Sequence, residues 1–114
     1  MSHAEGGDNK IYSKYGHAEG ASNIIGEDGV DGSSKGYKSH AEGDGNIVTG
    51  NCSHAEGLSN TIASGNAHAE GQLNTVSGGN AHAEGKNNQA IGLQAHAEGQ
   101  LTQAIGDNSH SEGL

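Results

Sequence analysis

The chain has no proline, tryptophan, phenylalanine or arginine, a single cysteine, and three tyrosines in 114 residues. Apolar residues make up only 30% of it, too few to offset the entropy of ordering in the manner of an ordinary globular core. No apolar run is long enough for a membrane span or a signal-peptide core. Cys52 has no partner for an intrachain disulfide and reads as a small turn residue rather than a nucleophile. With no arginine and a formal charge of −9, the chain carries no footprint for nucleic acid or for an anionic membrane.

What is present is repetition. His-Ala-Glu-Gly occurs seven times, beginning at His3, His17, His40, His54, His68, His82 and His96, and His110-Ser111-Glu112-Gly113 makes an eighth copy. Every interval is fourteen residues except the second, which carries nine more. A short fixed period of this kind marks a solenoid, in which one repeat is one coil that buries its apolar face only against its neighbours. The charge has the same origin: eight of the fourteen acids are motif glutamates, and the other six exceed the five lysines by one. The array spans residues 1–114 as one unit and is expected to be a piece of a longer fibrous protein.

Counting the histidine as position one, position two is Ala4, Ala18, Ala41, Ala55, Ala69, Ala83 and Ala97, then Ser111, and position four is glycine throughout. Position seven is asparagine from Asn9 to Asn88, then Thr102; position nine is Ile11, Ile25, Val48, Ile62, Val76, Ala90 and Ala104. The fourteen are two sevens, each an alternating stretch closed by a small residue. Alternation with period two predicts strands and excludes helix. One coil is then two short parallel-stacked strands and two turns, with glycine expected to supply the turn conformation and asparagine a local bond or a ladder. Eight coils at ~4.8 Å predict an all-β rod roughly 35–40 Å long. Alanine at position two and the apolar residue at position nine face inward, so histidine and glutamate at positions one and three point out together. Residues 27–38 hold the insertion, expected to bulge from a turn as tolerated length or as a contact surface with Tyr37 at its base.

Positions five, six, eight, ten, twelve and thirteen vary between repeats, as solvent-facing positions do, whereas one and three do not vary at all. Something identical must meet them at every rung, and a symmetry-related copy of the same face is the simplest candidate. The expected homotrimer interface is therefore His3, Glu5, His17, Glu19, His40, Glu42, His54, Glu56, His68, Glu70, His82, Glu84, His96, Glu98, His110 and Glu112. In such a seam each carboxylate needs a histidine partner, because an unpaired buried charge is costly. Loss of the trimer on acidification would follow from that pairing. Two other readings of the same residues stay open. One is a solvated polar face; the other is a metal or anion seam, since His-x-Glu puts an imidazole and a carboxylate on one strand face. In that reading the ligands are His40, Glu42, His54, Glu56, His68, Glu70, His82, Glu84, His96 and Glu98, although no cofactor is called for.

The pattern Ser/Ala-His-Ala-Glu-Gly-x-x-Asn-x-Ile/Val-x-Gly-x-x resembles the fourteen-residue repeats of trimeric autotransporter adhesin heads, the YadA-like head, over essentially the whole chain. The resemblance implies a left-handed parallel β-roll that trimerises side by side. Histidine and glutamate stand here where that family has aliphatics, and this variant is similar to arrays in phage tail-fibre and spike-type proteins. The implied role is a structural or adhesive segment at a bacterial surface or on a virion, whose partners are its own copies and a host-surface receptor or glycan. An enzyme is not expected, because an active site is one constellation and these pairs are eight equal copies. A period of fourteen rather than six sets the chain apart from hexapeptide acyltransferases. Thr49, Thr61, Thr75 and Thr102 form no rank of the ice-binding kind.

Overall fold

The computed structural model describes residues 1–30 and 32–114, so Asp31 of the insertion lies outside the described residues. Long and short strands alternate along the chain. Each coil opens with a five-residue strand, from His3–Gly7 in the first to His96–Gln100 in the seventh, and the eighth coil has His110–Glu112. A two-residue strand follows in the first seven coils, from Lys10–Ile11 to Gln103–Ala104. The long strands stack into one eight-stranded parallel sheet and the short ones into a seven-stranded parallel sheet, both in chain order. The described residues contain no helix. The molecule is a parallel β-solenoid measuring 37 × 23 × 17 Å, in line with the expected rod.

Register is uniform because the repeat is. His54 pairs with His68, Ala55 with Ala69 and Glu56 with Glu70, and every other long-strand pair matches like with like at these positions up to the serine of the last copy. Between the sheets runs one narrow core. Ala18, Ala41, Ala55, Ala69, Ala83 and Ala97 meet Ile25, Val48, Ile62, Val76 and Ala90, all fully buried. Flat coils leave room for nothing larger opposite a branched side chain, and the packing is that of an ordinary close-packed interior.

Asparagine at position seven forms the expected ladder, inside the rod. Asn23, Asn46, Asn60 and Asn88 are fully buried and Asn74 nearly so. The Asn46 amide donates to Asn23 Oδ1 at 3.0 Å, to the Glu42 carbonyl at 2.9 Å and to the Gly57 carbonyl at 3.0 Å. Its own oxygen accepts the backbone N–H of Asn60 at 2.9 Å. One side chain thus ties three successive coils and closes the corner after the long strand.

The turns differ from the sequence expectation. The position-four glycines from Gly6 to Gly99 lie within the long strands rather than at the corner, with φ of +104° to +113°. The left-handed residues fall two positions later, and again at position thirteen. Asn66, Asn80, Asn87 and Asn108 suit that conformation, but Tyr15, Lys38, Leu73, Gln94 and Leu101 adopt it too. Stacking compels those beyond the first coil: the Leu73 N–H donates to the Leu58 carbonyl at 2.9 Å and that of Leu101 to Lys86 at 3.0 Å, so each of these corners copies the one before it.

The insertion bulges without breaking the stack, as expected: His17 pairs with His40 and Ile24 with Ile47 across it. Ser33 returns to bridge Ser13, and the Gly36 N–H donates to the Thr49 carbonyl at 2.9 Å.

Candidate functional site

Because alanine turns inward at position two, the flanking histidine and glutamate emerge on the outer face of the long-strand sheet, as the alternation predicted. All sixteen of these residues share that face, and register stacks them into two parallel columns. Imidazole rings from His17 to His110 lie one above the next at centroid separations of 4.6 to 5.0 Å, with interplanar angles of 14° or less. Only the end ring breaks the pattern, His3 meeting His17 edge-on at 88°.

Within each coil the histidine Nε2 lies 3.3 to 3.7 Å from the glutamate Oε2 two residues on. The His3–Glu5 pair, at 3.4 Å, is aligned as a hydrogen bond. In the other coils the two groups are close but make no hydrogen bond. In His17, His40, His54, His68, His82 and His96 the Nε2 atom is inaccessible to solvent and has no hydrogen-bond partner. A buried polar atom without a partner is rare in folded proteins and calls for a specific explanation. Six in a row, on one face, at one position of the repeat, call for a common one.

Beside the carboxylate column runs an open groove of about 1050 Å³, walled by Glu42, Glu56, Glu70, Glu84, Glu98 and Glu112. The position-four glycines floor it, since they have no side chains to fill it. The bland reading of a merely solvated face fits the groove poorly, because the imidazoles from His40 to His96 are about two-thirds buried already in a single chain.

Burial pushes the pKa of His40 below the ordinary histidine value of 6.5, and the stacked His54 and His17 push it further, against the pull of Glu42 and Glu19. His82 is lowered in the same way by burial and by His68 and His96, against Glu84 and Glu70. Both rings are therefore neutral at neutral pH. The sign for stability follows. As pH falls below 6.5 the unfolded chain takes up protons that the folded His40 and His82 resist, so stability present above 6.5 is lost on acidification. The melting temperature should fall as pH is lowered from 7.5 to 5.5. A melting temperature that rises over this range would mean that the glutamates govern the column and the rings are held charged.

No family model and no curated protein matches the chain. What stands is a repeat β-solenoid of fourteen-residue turns with a histidine on each.

A second concentration of chemistry surrounds the insertion, where sequence reasoning singled out only Tyr37. Four of the five lysines and all three tyrosines fall within residues 10–38. The rings of Tyr15 and Tyr37 meet edge to face at 5.5 Å, and Lys38 Nζ sits 5.2 Å from the centre of the Tyr37 ring. Tyr15 and Lys38 occupy position thirteen of successive coils, both left-handed. A bulky side chain in that conformation is strained, so the corner bears residues that local folding preference does not select.

Proposed function

We propose that the chain is a rigid segment of a homotrimeric fibre, in which three rods pack side by side through their histidine–glutamate faces. The observation that carries this reading is the run of six buried, partnerless Nε2 atoms beside a groove, on a face whose histidine and glutamate are the same in all eight copies. A neighbouring rod seated against this face brings its own ladder at the same spacing along the axis, and a turn of each ring brings these nitrogens out to meet it. Each imidazole can then donate to a glutamate across the seam, and the partnerless atoms and the unshared carboxylates are satisfied together. Identical rungs make the contact repeat at every coil, which suits a closed symmetric assembly of identical chains.

A seam of this kind fixes register and partner number more than it adds stability, since polar pairs taken out of water gain little net energy. The role that goes with it is structural or adhesive: a spacer in a bacterial surface adhesin or a phage tail fibre, as the resemblance to YadA-like heads implies. In the adhesive case the tyrosine–lysine corner by the insertion is the surface we assign to a receptor or glycan, because aromatic faces and a cation gather there on an otherwise acidic rod. No catalytic role is proposed for the ladder.

Sedimentation equilibrium at pH 7.5 tests the assembly. Three chains per particle are expected, and conversion of Glu56, Glu70 and Glu84 to lysine should give monomers, because lysine only donates and leaves the imidazoles across the seam without an acceptor. A wild-type chain that sediments as a monomer across the micromolar range would overturn the reading.

A further inference from the structure

We propose that the ladder is also a linear array of divalent transition-metal sites, each formed by two histidines of successive coils and the glutamate between them. The ligand sets are complete within one chain. His17, Glu19 and His40 form one; His54, Glu56 and His68 another; His82, Glu84 and His96 a third; in each, one ligand atom per residue lies within 4.8 Å of the others.

The bite distance is the first argument. Two metal–ligand bonds of ~2.0–2.1 Å at a tetrahedral angle hold their ligand atoms ~3.4 Å apart. Nε2 and Oε2 stand 3.6 Å apart in His17–Glu19 and His54–Glu56, and 3.4 Å in His82–Glu84. The spacing therefore already suits an ion, and what binding asks is a turn of the ring that opens the nitrogen to it. Completing the set brings the second ring inward by no more than about 1.4 Å, from 4.8 Å to the tetrahedral spacing, a side-chain tilt.

The state of the ligands is the second argument. A metal takes the unprotonated imidazole nitrogen; within one chain these Nε2 atoms carry no hydrogen bond, and an ion bound there takes the place of their donation across the seam. The column of in-register glutamates supplies the third argument, since like charges directly opposite on adjacent strands repel and an interposed cation removes that repulsion. Imidazole and carboxylate together suit zinc, nickel or copper, whereas calcium and magnesium prefer oxygen ligands.

Overlap sets the stoichiometry. His40 belongs to the set with Glu19 and also to the set with Glu42 and His54. One nitrogen serves one ion, and tilting a ring toward one neighbour takes it away from the other. Alternate intervals fill, which gives three ions per chain in the sets named above.

Equilibrium dialysis of the wild-type chain against micromolar zinc at pH 7.5, read by elemental analysis, should return three ions per chain. The triple variant His40→Gln, His68→Gln and His96→Gln breaks every two-histidine set between His17 and His96 and should retain at most one. Cobalt(II) gives a second readout that needs no variant, because a four-coordinate site absorbs strongly in the visible and a hexa-aquo or carboxylate-only site does not. Zinc uptake below one ion per chain, equal uptake by the triple variant, or a weak octahedral cobalt spectrum would each overturn the proposal. Ions per chain are read whatever the assembly. A trimer that holds no zinc thus sinks this proposal and leaves the trimer standing, and a zinc-loaded monomer does the reverse.

Discussion

Gly57→Ala is expected to destabilise the rod by about 4 kcal/mol, whereas Gly7→Ala should change its stability by less than about 0.5 kcal/mol. Both glycines sit in or at the end of a long strand, so strand propensity does not separate them. Space and conformation do. A Cβ on Gly57 would overlap the carbonyl oxygen of Gly71 in the next coil, and φ there is +113°. Each defect costs about 1–3 kcal/mol when taken alone. Neither relaxes easily, because the obstacle is backbone that the register of the next coil fixes in turn. On Gly7 an added Cβ meets nothing within 4 Å. In a nearest-neighbour stack the damage need not spread evenly: coils on either side of Gly57 should uncouple and melt in two steps. Denaturant unfolding followed by circular dichroism reads both effects. A single transition at the wild-type midpoint would show that the coils have slack that the close backbone approach denies them.

These glycines also mark the limit of what the sequence reveals. Their invariance was plain, and so was the inward alanine with histidine and glutamate on the outer face, because alternation with period two has one reading. Their reason was not plain. Position four reads as a turn, yet the glycine is needed inside the strand, where the backbone of the next coil comes too close for any side chain. The true corners carry Leu73, Leu101, Tyr15 and Lys38 in a left-handed conformation that local preference opposes by roughly 1–2 kcal/mol per residue. Hydrogen bonds to the coil before hold Leu73, Leu101 and Lys38 there, and such bonds join residues fourteen or more apart, beyond the reach of any local signal. The candidate site divides in the same way. Repetition located all sixteen ladder residues. The 3.3–3.7 Å bite and the partnerless Nε2 atoms depend on ring rotation, which no spacing records. The meeting of Tyr15 with Tyr37 depends on how the insertion rejoins the stack at Ser33 and Gly36, and the length of the insertion alone does not reveal it.

The asparagine column should be the second most sensitive element, and its failure should have a chemical signature that the glycines lack. Asn46→Ala removes three donated bonds and leaves the backbone N–H of Asn60 with no acceptor in a fully buried corner. A stranded donor costs about 1–3 kcal/mol, and the lost bonds and the void add to it, so a loss of about 3–4 kcal/mol is expected. The chain contains its own partial remedy. At the same position Thr102 donates from Oγ1 to Asn88 Oδ1 at 2.9 Å and so retains the link to the coil before, though it has no amide to reach the two carbonyls. Asn46→Thr should therefore cost about half as much as Asn46→Ala. Asn46→Asp keeps the acceptor for Asn60, loses the donors and buries a carboxylate, and should be at least as damaging as alanine at neutral pH, recovering as the acid is protonated. Denaturation midpoints for the three variants at pH 7.5 and pH 4.5 separate the causes. If threonine and alanine cost the same, the column contributes packing volume and its hydrogen bonds contribute nothing. If threonine falls midway and aspartate improves at low pH relative to alanine, the donors of the amide hold the corners of the rod, and the ladder on the outer face keeps its register because this inner ladder does.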